Sequence, residues 1–238
     1  MPLHWTHRSG IRERQYCNNW EPTTLRLQAL PCYGIPGTTI LMSLLRRLMN
    51  RNMTLYDQLD SLAGCGIAPH EGIGPPELLR RHSERAYETS PFKLLLAELG
   101  AESDEPPHHP MSDNVWHMRA ECVAGGGDYV SIAHRMAVLT AGVLPIESVH
   151  DEFDLRRGVA WLSFTLRDQP YRWPAKIEER WIDPNILSRF ALLLEAQDAA
   201  LRYTCLDLGG QDCLIACATE EQFAALRKVT GLAFEWLG

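Results

Sequence analysis

The chain has 238 residues, a net charge of −7 at neutral pH and 45% hydrophobic residues, a composition typical of globular proteins. No stretch approaches the roughly 18 consecutive apolar residues that a transmembrane helix requires. Residues 1–53 hold seven arginines and two glutamates, which leaves a charge of −12 on residues 54–238. So acidic a body argues against nucleic-acid binding, since phosphate contacts need Lys and Arg, and it favours a basic protein partner.

Seven cysteines stand at irregular spacing, at Cys17, Cys32, Cys65, Cys122, Cys205, Cys213 and Cys217. No CxxC pair occurs, so the pattern fits neither a zinc site nor the disulfide framework of a secreted protein. We therefore expect a reduced, cytoplasmic protein whose thiols are mostly buried, with no cofactor.

Residues 1–53 form a basic extension, of which residues 1–37 show no helical or strand periodicity and contain four prolines. A charged start, a long apolar region and a small-residue cleavage site, which together mark a signal peptide, are not found there. We expect a disordered arm or an upstream misannotation, with translation starting at Met42, Met49 or Met53.

The pattern becomes regular at Thr54 and predicts a small helical unit over residues 54–101. The run TLYDQLDSLAGCGI places three leucines on one helical stripe before two glycines. PPELLRRHSERAYE predicts a second helix. SPFKLLLAELG predicts a third helix, with Ser90 as its cap and Pro91 as its first residue.

Residues 102–113, ESDEPPHHPMSD, are acidic and rich in proline, so they are predicted to be a linker. The pair His108 and His109 raises the question of a metal site. Adjacent residues of a loop rarely supply two ligands by themselves, so we predict no metal there.

Residues 115–238 are predicted to be an α+β domain with the order β-α-β-β-α-β-β-α-β. Hairpins between helices indicate a mainly antiparallel sheet with helices packed against it, preceded by the small helical unit. Asp183 followed by Pro184 starts one strongly amphipathic helix, while Thr219 caps the next helix and Gly231 ends it.

The stretch GGQDCLIACATEEQF raises the question of a nucleophilic cysteine at Cys213. A catalytic cysteine needs a base and a field that lowers its pKa. The nearest charges in sequence are Asp212, Glu220 and Glu221, which would raise that pKa. The run is better explained as a buried strand between a turn and a helix, with Cys213 and Cys217 as packing residues.

Clustered acids and aromatic residues provide the candidate partner contacts. Trp161 lies on an alternating strand and is expected in the core, whereas the other tryptophans of this region lie near loops, where Trp favours interfaces. Carboxylates so placed could instead hold a divalent ion in a hydrolase. The predicted contacts are Asp151, Glu152, Asp154, Trp173, Glu178, Glu179, Trp181 and Asp183.

From about residue 54 to the end, the chain resembles immunity proteins of bacterial polymorphic-toxin and type VI secretion systems. The resemblance rests on LAGCGI (62–67), GDYVSI (127–132), VHDEFDLRRGVAWLSF (149–164), WIDPNIL (181–187) and GGQDCLIACATEEQ (209–222). It implies an acidic, cytoplasmic, non-catalytic protein that binds one cognate toxin and blocks its active site. The alternatives are a metal-dependent hydrolase built on the acidic cluster and a structural adaptor. The basic extension departs from the family pattern.

Overall fold

The computed structural model describes residues 53–103, 109–154, 156–177, 180–197 and 200–238. The predicted extension therefore lies outside the described residues, apart from Met53. The described residues form seven helices: α1 (Leu55–Ala63), α2 (Pro75–Arg81), α3 (Glu84–Thr89), α4 (Lys93–Gly100), α5 (Asp128–Leu139), α6 (Pro184–Glu195) and α7 (Glu220–Thr230). They also form seven strands: β1 (Val115–Arg119), β2 (Ile146–Asp154), β3 (Val159–Leu166), β4 (Gln169–Lys176), β5 (Arg202–Gly209), β6 (Asp212–Ala218) and β7 (Glu235–Trp236).

The strands form two antiparallel sheets, one with the order β1-β6-β5-β7 and one with the order β2-β3-β4. The predicted α+β class is confirmed. The predicted order of elements was wrong in one place, because the segment from Gln169 to Lys176 is a strand rather than an exit loop. Its prolines, Pro170 and Pro174, are typical of turns, but an edge strand accommodates them.

The four-stranded sheet lies between two hydrophobic cores, because successive side chains of a strand point to opposite faces. On β6, Leu214 belongs to the core that contains the buried leucines of α1, α2 and α4. Its neighbour Ile215 belongs to the other core, with α5, α6 and the three-stranded sheet. The described residues belong to one compact unit, so the predicted helical unit is joined to the sheets by a shared core.

The three-stranded sheet has one face in a core and one face outside it. Ala160, Leu162, Phe164 and Leu166 point inward and are at most 3% exposed. The alternating residues Val159, Trp161 and Thr165 of β3 belong to neither core. We call the side of the sheet that carries these residues and their cross-strand neighbours the outer face.

Local capping explains where several helices begin. Thr219 accepts a hydrogen bond from the backbone N–H of Gln222, whose side chain in turn accepts one from the Thr219 N–H. Asp183 caps α6 with Pro184 as its first residue, as predicted. Helix α4 differs from its prediction, because its cap is Phe92 rather than Ser90.

The start of α4 depends on a buried side chain of α1. Phe92 has a φ of 62°, in the left-handed region that non-glycine residues rarely adopt. Gln58, fully buried, accepts a hydrogen bond from the Phe92 N–H at 2.8 Å and donates to the Tyr87 carbonyl at 3.2 Å. These contacts stabilise a turn that the local sequence does not encode.

Candidate functional site

Asp151 lies on the inner side of β2, where its carboxylate caps helix α5. It accepts hydrogen bonds from the backbone N–H groups of Gly127 at 2.8 Å, Tyr129 at 3.0 Å and Val130 at 3.3 Å. The first N–H groups of a helix lack partners within the helix and form a positive end that favours a carboxylate. Asp151 therefore stabilises the fold rather than presenting a charge for a partner.

Two further predicted contact residues also form local hydrogen bonds. Asp154 accepts bonds from the backbone N–H groups of Arg156 and Arg157, both at 3.1 Å, and so shapes the turn into β3. Asp183 is only 7% exposed and accepts bonds from the Lys176 and Asn185 N–H groups. The prediction that Asp183 is an exposed contact is wrong, because the start of α6 buries it.

The two predicted contact tryptophans, Trp173 and Trp181, differ in their surroundings. Trp173 points inward and packs edge-on against Phe164 and Phe190, with ring centroids 4.8 and 5.0 Å apart. It is therefore mainly part of the core. Trp181 is partly buried and itself forms an isolated β-bridge just before α6. Glu178 and Glu179 lie outside the described residues.

The outer face carries a cluster formed by Trp161, Arg172 and Glu152. The Glu152 carboxylate lies 3.0 Å from the Arg172 guanidinium, and both side chains are more than half exposed. That guanidinium stands over the Trp161 ring, 5.0 Å from its centroid. The expectation that Trp161 is a core residue was wrong, because the inward positions of β3 are the even-numbered ones.

An acidic strip runs beside this cluster along β2. Glu147, Glu152 and Asp154 are cross-strand partners of Thr165, Trp161 and Val159, so they share the outer face. Sequence reasoning found Glu152 and Asp154 but missed Glu147 and Arg172. Finding Arg172 requires the β3–β4 register, which places it opposite Ser163.

The thiols in the four-stranded sheet are poor nucleophiles. Burial, with smaller contributions from Cys205, Asp207 and Asp212, raises the pKa of Cys213 to about 12. Burial also raises the pKa of Cys217 well above its ordinary value. The expected packing role agrees with these environments, although both residues are half-buried rather than fully enclosed.

A cavity of about 580 Å³ lies beside α2 and α4. Several of its charged lining residues pair with one another. The Glu98 carboxylate contacts both Arg81 Nε at 2.6 Å and His82 Nε2 at 2.9 Å, and Glu77 pairs with Arg80. Since opposite charges already meet there, the lining does not select a ligand of either sign.

The described part of the chain brings together no group of three or more His, Cys, Asp and Glu side chains that could hold a metal ion. His109, of the histidine pair considered above, lies 2.7 Å from the Ser103 hydroxyl across a hairpin, while His108 is outside the described residues. No helix in the described ranges has the length and apolarity to cross a membrane.

Comparison with known proteins gives no match from which a function could be inferred. No protein-family model, no curated protein and no solved structure matches this chain.

Proposed function

We propose that the chain is a non-catalytic, immunity-type protein that binds one bacterial toxin and neutralises it by occluding the toxin's active site. The observation that supports this proposal is the set of residues that the outer face brings together. There Trp161, with Arg172 stacked on it, lies beside the acidic strip and outside both cores.

The chemistry of this face fits a basic protein surface. Trp and Arg are the residues that most often dominate the binding energy of protein interfaces. Glu147, Glu152 and Asp154 add negative charge at its margin, on a body whose residues 54–238 carry −12. Complementary charge of this kind accelerates association with a basic partner.

The proposed contact leaves out three of the residues that the sequence suggested. Asp151, Asp183 and Trp173 act within the fold, whereas Glu152 is exposed and stays in the proposed contact. The hydrolase alternative gains no support from the described acids, because Asp151, Asp154 and Asp183 accept hydrogen bonds from backbone N–H groups.

The test begins with affinity purification of the tagged full chain from its native host, followed by mass spectrometry. A basic protein recovered in stoichiometric amount is then expressed alone and together with the chain. Under the proposal, the partner arrests growth and coexpression of the chain restores it. Growth arrest that the chain does not relieve refutes the immunity function, and a harmless partner favours the adaptor.

Variants of the outer face locate the contact. Trp161→Ala should weaken partner binding about 30-fold, the effect of losing about 2 kcal/mol at an interface hot spot. Reversing Glu147 and Glu152 to Lys should slow association about tenfold at low salt. Asp60→Lys combined with Glu84→Lys, an equal charge change at exposed positions of α1 and α3, is the control. Unchanged binding by both outer-face variants removes this face from the interface.

A further inference from the structure

The two edges of the three-stranded sheet differ in their capacity to accept another strand. In an antiparallel strand, the N–H and C=O groups of alternate residues point to the same side. On β4, the Lys176 N–H donates to Asp183 at 2.9 Å and the Pro174 carbonyl accepts from Arg189 at 2.9 Å. The even-numbered residues of β4 therefore point their backbone groups away from β3, toward the open edge.

This register leaves little of the β4 edge available for pairing. Pro170 and Pro174 have no N–H group, and the Lys176 N–H is already bonded. Within the described residues, Arg172 is the one even-numbered residue of the strand whose N–H remains for a partner. Such an edge resists the addition of a further strand.

The β2 edge has the opposite character over residues 150–154. Because the odd-numbered residues of β3 point toward β2, their partners His150, Glu152 and Asp154 use their backbone groups within the sheet. Asp151 and Phe153 then point their N–H and C=O groups outward. Within the described part of the chain, no hydrogen bond engages those backbone groups.

The side chains of this edge select the chemistry of an added strand. Glu152 and Asp154 lie on the outer face of this segment, without a basic residue between them, whereas the Asp151 carboxylate is held by the start of α5. An opposite charge on a neighbouring strand stabilises cross-strand pairing, and a like charge opposes it. A second copy of β2 would place acids against acids, so self-pairing at this edge is disfavoured. A strand carrying Lys or Arg is favoured.

We infer that β2 is a docking edge for a short, extended, basic segment of the partner, which continues the sheet by backbone hydrogen bonds to Asp151 and Phe153. This inference rests on the proposed function for the identity of the partner as a toxin, and it adds the mode of contact. A register shift between Glu147 and His150 ends the regular edge, so the added strand is short.

The test uses the full chain and a synthetic heptapeptide of alternating Lys and Val. Backbone amide hydrogen exchange, measured by NMR, should slow at Asp151 and Phe153 when the peptide is present at millimolar concentration. The Arg172 amide on the β4 edge should exchange at the same rate with and without the peptide. A peptide of equal charge with prolines at its centre should not slow exchange, because it cannot complete the ladder.

A charge variant distinguishes peptide binding at the β2 edge from nonspecific electrostatic attraction of the peptide to the acidic protein. Glu152→Gln should weaken peptide binding about threefold, as expected for one lost cross-strand charge pair. Asp60→Asn, on α1, should leave the affinity unchanged. Peptide binding without slower exchange at Asp151 and Phe153, or no binding at all, overturns the inference.

The same measurement with the recovered partner keeps the two proposals distinguishable. A toxin that is neutralised while both amides exchange at their free rates refutes the docking edge and leaves the proposed function standing. Slower exchange with the peptide, but no rescue of growth, supports the edge and refutes the immunity function.

Discussion

Asp151 provides the sharpest test of how this structure is held together, because its role reverses the expectation from the sequence. Replacing Asp151 with Ala removes the acceptor for the backbone N–H groups of Gly127, Tyr129 and Val130. Loss of a helix cap costs about 0.5–2 kcal/mol, and loss of a carboxylate at the positive end of a helix costs about 0.3–1 kcal/mol.

We expect the free energy of unfolding to fall by about 2 kcal/mol in Asp151→Ala. Asp151→Asn should lose about 1 kcal/mol, because its amide oxygen still accepts a hydrogen bond while the charge is gone. Urea unfolding followed by circular dichroism measures both values, and the slope with denaturant should not change. In a thermal melt the Ala variant should lose roughly 4–8 °C.

Two exposed acids serve as controls. Glu152→Gln and Asp60→Asn should each change the free energy of unfolding by less than about 0.5 kcal/mol, as is usual for surface substitutions. If Asp151→Ala changes stability no more than these controls do, the capping role is wrong. In that event Asp151 returns to the set of candidate partner contacts.

Three further predictions concern packing and reactivity. Gly100→Ala should cost about 1–3 kcal/mol in urea unfolding, because its added Cβ would clash with the backbone nitrogen of His117 on β1, whereas Gly125→Ala meets nothing within 4 Å and should be tolerated. Gln58→Leu should cost about 1–3 kcal/mol, since the buried Phe92 N–H would lose its acceptor; an unchanged unfolding midpoint would contradict this. Cys213, whose pKa burial raises to about 12, should react with iodoacetamide at pH 8 at least about tenfold more slowly in the folded chain than after unfolding, and equal rates would refute its burial.

Features encoded by neighbouring residues could be predicted from the sequence. Thr219 with Gln222 and Asp183 with Pro184 define helix starts within a few residues, and the structure confirms both positions. The α+β class follows in the same way, because apolar periodicity and turn residues mark most of the elements.

Features that depend on distant partners could not be predicted in this way. Phe92 begins α4 because Gln58, on another helix, holds its N–H group. Asp151 caps a helix more than twenty positions earlier in the chain, so sequence proximity to Glu152 and Asp154 wrongly grouped three acids with different roles. A local pattern does not show where a carboxylate points.

The outer face illustrates the same limit. The inward set of β3, Ala160, Leu162 and Phe164, is the more consistently apolar one, so the orientation of Trp161 was detectable in principle. The prediction placed Trp161 in the core because it lies on an alternating strand, without deciding which of the two alternating sets faces inward. The contact with Arg172 was not detectable, because it requires a strand that two prolines concealed.

The position of β1 in the four-stranded sheet has a consequence for synthesis on the ribosome. Val115 pairs with Ala216, so β1 stays without its neighbour until about one hundred more residues have been made. The apolar surfaces of α1, α2 and α4 also wait for Leu214, Leu226 and Phe234. The nascent chain must therefore carry an uncovered hydrophobic surface through most of translation, and the risk of aggregation is highest in this interval.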